Sequence, residues 1–185
     1  MAASPVPFIL LLVLLAAAGT HASPASSETV EQICARATSS GAHRDLAPFC
    51  VSSLQAAPGS DLADARGLAA IATNLTLANY TAAVGTVKAL QGRGGWSAAE
   101  RGALATCRAR YIEALNVVHS AVHALATGRL GDYAAEMRAV RKAATDCDDA
   151  FGAAASESGA APMRKVDRDA VDLTTVATLI VRALE

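Results

Sequence analysis

Residues 132–151, DYAAEMRAVRKAATDCDDAF, decide the fold. Within them Tyr133, Met137, Val140, Ala144, Cys147 and Phe151 recur at steps of four, three, four, three and four. That rhythm puts the six in one stripe along an α-helix, because side chains three and four apart share a face. The stripe contains a cysteine, which therefore faces a neighbouring helix rather than solvent. Leu104 to Leu125 mirrors the pattern, with Leu104, Cys107, Tyr111, Ala114, Val118, Ala121 and Leu125 in the same alternation. Two antiparallel helices, each with one cysteine in its seam, form a pair that a disulfide can clamp.

Composition supports helices throughout. The chain has 185 residues, 52% of them hydrophobic but only 4% aromatic, and alanine is abundant. Closely packed helices suit that mixture better than a β-sandwich, since alanine is the strongest helix former and strands favour aromatic and β-branched residues. One domain with a real core fits the length once a leader is removed. The formal charge of −1 is mixed along the chain. It predicts binding neither to nucleic acid nor to an anionic membrane.

Residues 1–22 read as a secretory leader. Phe8 to Ala18 is an apolar run short for a bilayer span, and Thr20-His21-Ala22 supplies small residues around a cleavage site after Ala22. A membrane anchor is the rival reading, but no second apolar run of spanning length follows. Residues 23–27 form a Ser/Pro/Ala-rich tether, and residues 28–185 the domain. The mature protein is expected to be soluble, secreted and free of the membrane.

Secretion governs the cysteines. Cys34, Cys50, Cys107 and Cys147 are the four in the chain. Four cysteines in an oxidising compartment predict two disulfides, in any of three pairings. Zinc is the rival, but no C-x-x-C spacing occurs and no histidine lies near them in sequence. Cys34–Cys50 with Cys107–Cys147 is the favoured pairing, since each bridge then joins successive helices.

The chain order follows. Thr29 to Ser39 reads as a short helix with Val30, Ile33 and Ala37 on one side, and a second covers about Asp45 to Leu54. Ala57-Pro58-Gly59-Ser60 is a turn. Asp61 to Gln91 is expected to be a long helix with Leu68, Ile71, Leu75, Ala78 and Ala82 near its buried face. It carries two glycosylation sequons, at Asn74 and Asn79, of which at least one is expected to be occupied. Gly92-Arg93-Gly94-Gly95-Trp96 breaks the pattern, and Ser97 to Glu100 is a capping box that starts the next helix. That helix runs to Thr127, Gly128 and Gly131 end it, and Asp132 is placed to cap its successor. Ser156 to Pro162 is a small-residue loop, and Val166 to Leu184 the last helix, with Leu173, Val176, Ile180 and Ala183 as its stripe. The expected fold is all-α: an up-down-up-down four-helix bundle preceded by a short helical hairpin.

Catalytic signatures are lacking. No G-x-S-x-G elbow occurs, and the glycine run lacks the Lys-Ser/Thr of a phosphate loop. His119 and His123 stand four apart, but HSAVH lacks the glutamate of a zinc-protease helix. Asp146, Asp148 and Asp149 resemble a calcium loop only briefly, because Phe151 stands where its glycine belongs. Neither metal nor cofactor is expected. The acidic cluster reads as a solvated helix face or a polar docking surface.

Taken together, the leader, the Cys34…Cys50 hairpin and Leu104-x-x-Cys107-x-x-x-Tyr111-x-x-Ala114 resemble the plant invertase and pectin methylesterase inhibitors. Residues 143–151, AATDCDDAF, are similar to that family's A-x-T-x-x-x-T-C-x-D-x-F pattern, and the segment from Asp172-Leu173 to Leu184 closes the match. The family often has Thr immediately before its last cysteine; Asp146 stands there in this chain.

The resemblance implies a secreted, apoplastic inhibitor, not an enzyme, that covers its target's substrate cleft in a non-covalent one-to-one complex. Free in solution it would be a monomer or weak dimer. Docking would run through the second to fourth family helices, with Glu113, Asn116, Asp146 and Asp149 on or beside outward faces near the clamp. Cell-wall invertase inhibitors carry Pro-Lys-Phe between the disulfide-linked helices, where this chain has Gly131-Asp132-Tyr133. Pectin methylesterase is therefore the expected target and acid invertase the alternative. A secreted helical module with no enzyme target is the third reading.

Overall fold

A computed structural model describes residues 28–154 and 161–185. The leader, the tether and most of the expected small-residue loop lie outside the described residues. Helix α1 spans Val30–Ala37, α2 Ala47–Gln55, α3 Ala65–Arg93, α4 Ala98–Ala126, α5 Leu130–Ala154 and α6 Arg164–Arg182. Helices α3 to α6 form the bundle. Each packs on two of the others, in the cyclic order α3, α4, α5, α6. The hairpin of α1 and α2 closes against α6 and α3, and Cys34 is bonded to Cys50 within it.

Local signals set most helix ends. Thr29 starts α1 with a capping box shared with Gln32, and Ser97 starts α4 with the one shared with Glu100. Asp64 caps α3, its carboxylate accepting from the Gly67 amide at 2.7 Å, so the helix begins four residues later than the sequence pattern suggests. Helix α4 ends in a Schellman motif. Gly128 takes φ +73°, the Arg129 amide donates to Ala124 at 2.8 Å, and the Gly128 amide donates to Leu125 at 3.1 Å. That motif reverses the chain so tightly that α5 starts at Leu130. Gly131 is thus inside α5, and Asp132 is no cap; it pairs with Arg129 at 3.0 Å across the first turn. Between α3 and α4, the Trp96 indole N–H donates to the Leu90 carbonyl at 2.7 Å and fastens the corner.

Both opening stripes face the core. All six named positions of α5 and all seven of α4 are buried. The stripe expected on α3 is displaced. Leu68 is buried, but Ile71 and Leu75 are half-buried and Ala78 and Ala82 exposed. The buried face instead runs through Thr73, Thr76, Tyr80, Ala83, Val87 and Leu90. Hydroxyls are cheap to bury once bonded, and these are bonded. Thr73 and Thr76 donate to carbonyls four residues back, at 2.8 and 3.0 Å. The last helix also buries more than one stripe, with Leu173 to Ala177 and Leu179 to Val181 all inside, because α1, α3 and α5 surround it.

The chain's three tyrosines, Tyr80, Tyr111 and Tyr133, are all fully buried. The Tyr80 hydroxyl donates to the Val140 carbonyl at 2.9 Å and lies 3.3 Å from the Thr174 hydroxyl. Tyr133 shares a 2.8 Å hydrogen bond with Thr73. Tyr80 and Tyr111 meet edge to face, with ring centroids 5.1 Å apart. Burial pushes the hydroxyls of Tyr80 and Tyr133 up to about 12, so they stay neutral donors.

The bridge between Cys107 and Cys147 joins α4 to α5 across 40 residues of sequence with a Cα separation of 4.5 Å. Loop-closure entropy assigns such a bridge about 4 kcal/mol. Replacing both cysteines by serine is expected to lower the melting temperature by roughly 10 °C, measured by circular dichroism in non-reducing buffer.

Candidate docking face

The clamp fixes a polar groove beside it. Arg110, Glu113, Ala114 and Val117 of α4 face Ala139, Lys142, Ala143 and Asp146 of α5 around a cavity of about 260 Å³. Arg110 bridges the two helices, holding Glu113 at 3.1 Å and Asp146 at 3.3 Å. Lys142 holds the other Asp146 oxygen at 2.5 Å. Asp146 is one-fifth exposed while the other three are much more open. Isolated exposed pairs of this kind contribute little, about 0.2–1 kcal/mol each. Their use lies in position: two carboxylates and two cations are held on a seam that cannot slide.

Of the residues singled out from sequence, Glu113 and Asp146 therefore come together. Asn116 is exposed on α4 but outside that groove. Asp149 is exposed on α5 and lines a different groove, of about 470 Å³, with Thr145, Asp148, Arg164, Asp167 and Arg168. His119 and His123 are exposed on α4. Asn74 is exposed on α3, whereas Asn79 is half-buried with its side-chain oxygen unpartnered and enclosed. Among the described residues no group of three or more His, Cys, Asp or Glu is placed to hold a metal ion.

Arg110 and Lys142 escaped the sequence reading, although Arg110–Glu113 and Lys142–Asp146 have the three- and four-residue spacing of helical ion pairs. Asp167 escaped it for a different reason. It sits at the start of α6 among charged residues, yet only 2% of it is exposed. One carboxyl oxygen accepts from the Tyr111 hydroxyl of α4 at 2.5 Å, and the other has no partner. Burial pushes its carboxyl up to about 7; the Tyr111 bond opposes that shift, and the negative Asp148 of α5 adds to it. Burial raises the Tyr111 hydroxyl, and the Asp167 contact adds to it.

The fold is a helical bundle braced by two disulfides, with a groove of paired charges on the seam beside the second. The sequence pattern of the plant invertase/pectin methylesterase inhibitors matches residues 28–180, and the chain belongs to that family. Members of the family are inhibitors rather than enzymes, and this chain is an inhibitor of the pectin methylesterase/invertase type. The crystal structure of mutant form A of a pectin methylesterase inhibitor from Arabidopsis shares the fold, with a TM-score of 0.67 at 20% identity over 85% of this chain and 97% of that one. A comparison with curated proteins gives no match.

Asp167 gives the molecule a pH dependence of known sign. Its ordinary value is 3.8 and its folded value about 7. The stability it contributes is complete below the ordinary value and is lost as pH rises through about 7, because the folded state must then bury a charge. Asp167→Asn keeps the Tyr111 acceptor and removes that charge. It is expected to raise the melting temperature by roughly 5 °C at pH 7.5 and to change it little at pH 4, as read by thermal melts across that range.

Proposed function

We propose that this chain is a secreted inhibitor of pectin methylesterase that covers the enzyme's substrate cleft in a non-covalent one-to-one complex. The observation that carries the reading is the clamped α4–α5 seam. Arg110, Glu113, Lys142 and Asp146 form a preorganised charged surface there, which costs little entropy to order on binding. Family membership supplies the class of target. The sequence Gly131-Asp132-Tyr133, at the place where cell-wall invertase inhibitors carry Pro-Lys-Phe, favours pectin methylesterase over acid invertase. In the structure these three residues belong to the first turn of α5.

In this reading Asn116 and Asp149 extend the docking face from the seam. Residues 1–22 act as the leader, 23–27 as a tether, and 28–185 as the inhibitory domain delivered to the apoplast. Both disulfides suit that compartment. Charges at the rim of such a face make association sensitive to salt and pH.

The test is titration of the oxidised protein against plant pectin methylesterase and acid invertase, at mildly acidic and neutral pH. Complete loss of pectin methylesterase activity at one equivalent is expected, with invertase unaffected. The double variant Glu113→Ala/Asp146→Ala is expected to weaken inhibition by about tenfold, the scale of one lost charged contact. Loss of invertase activity alone would reassign the target, and full activity of both would remove the inhibitor reading.

The sequons separate on exposure. Asn74 points into solvent, whereas a sugar on half-buried Asn79 would have to leave beside an enclosed oxygen. Mass spectrometry before and after enzymatic deglycosylation is expected to show one glycan on the protein made in plant cells. Asn74→Gln abolishes it and Asn79→Gln does not.

A further inference from the structure

A second furrow runs along the outer face of α5 towards α6 and meets the clamp groove at Ala139 and Lys142. Three cavities follow one another along it, of about 470, 640 and 300 Å³. The first two share Thr145 and Val171, and the last two share Arg138 and Arg141, so they make one continuous trough. Arg138 and Arg141 project into its middle from α5, and Arg182 joins them from the end of α6. All three are exposed, and none has an acidic partner within ion-pair distance among the described residues. Arg138 and Arg141 stand one helical turn apart, where like charges repel. The acidic lining residues are at the ends of the trough, Asp148, Asp149 and the buried Asp167 at one and Glu185 at the other.

We propose that this trough binds a polyuronate chain, the de-esterified form of pectin. The choice of polymer rests on the pectin methylesterase reading; the charge and shape of the trough do not. Guanidinium groups pair with carboxylates through two parallel hydrogen bonds, and a row of them suits a polymer that presents a carboxylate on every sugar. Each contact is weak in water, but successive sugars on one chain bind at high effective concentration. The walls between the arginines are small, with Ala134, Ala135, Ala139 and Val171 leaving an open channel. A protein partner would want a large apolar anchor there. Among the described residues the exposed large apolar side chains, Leu62 and Ile112, are both outside the trough. An inhibitor held this way would concentrate on wall polymer that has already lost its methyl esters.

The experiment is calorimetric titration of the mature oxidised protein, with no enzyme present, using oligouronates of one length in fully de-esterified and fully methyl-esterified form. The de-esterified oligomer is expected to bind at low salt and to be released at about 0.3 M sodium chloride, while the ester gives no heat. Arg138→Gln/Arg141→Gln is expected to weaken binding at least tenfold, roughly one charged contact per arginine, with an unchanged melting curve. Arg182→Gln is a second variant should the double one misfold, and is expected to weaken binding in the same direction. Absence of binding at low salt, equal binding of the ester, or binding indifferent to the substitutions would overturn the proposal. If the polymer does not bind and the double variant loses enzyme inhibition, the trough belongs to an acidic protein surface instead. Because the titration contains no enzyme, its failure leaves the inhibitor reading standing.

Discussion

The covalent bond between α4 and α5 sets the spacing on which the bundle depends. The Cα atoms of Cys107 and Cys147 are 4.5 Å apart, and with each about 2.3 Å from its own axis the two helices pack roughly 9 Å apart there, within the usual 8–10 Å. Beside the bridge, Ala114 of α4 and Ala143 of α5, both buried, face each other across the groove. Small residues at the contact in turn keep Arg110 of one helix within reach of Asp146 of the other. Of the groove's ion pairs, the one that crosses from α4 to α5 is the one whose register the clamp fixes.

The large side chains concentrate on the bundle axis. Tyr80 of α3 reaches the Val140 carbonyl of α5, and Tyr133 of α5 reaches Thr73 of α3, each spanning the diagonal. Tyr111 of α4 spans the other diagonal to Asp167 of α6. Every one of these rings ends in a hydrogen bond, so the core gains apolar area without orphaned hydroxyls. Asp167, at the end of the Tyr111 diagonal, keeps one oxygen unpartnered, and its protonation ties the interior to pH.

Much of this architecture was legible in the sequence, and its errors share a cause. The stripes of α4 and α5 are almost purely apolar, so their period announced itself, and the cysteines gave both registers. On α3 the buried face is built from Thr73, Thr76 and Tyr80. Counting apolar residues alone rotated it towards Ile71, Leu75, Ala78 and Ala82. The start of α5 was misread because Asp132 has the chemistry of a cap, while the Schellman turn at Gly128 had already placed Leu130 in the helix. Of the candidate site, Glu113 and Asp146 were found as carboxylates near the clamp. The bridging role of Arg110 needed the register between two helices, and the burial of Asp167 needed the whole bundle. Neither is a local property.

The single tryptophan of the chain has a consequence of its own. Trp96 is half-buried at the α3–α4 corner, its indole fastened to Leu90 and its carbonyl accepting from Arg101 at 2.6 Å. Tyr80, Tyr111, Tyr133 and Phe151 lie in the interior, and Phe49 is half-buried on α2. Excitation at the red edge of protein absorbance therefore interrogates one corner. The emission of this molecule is a gauge of how firmly that corner is shut, separate from the far-ultraviolet signal of its helices.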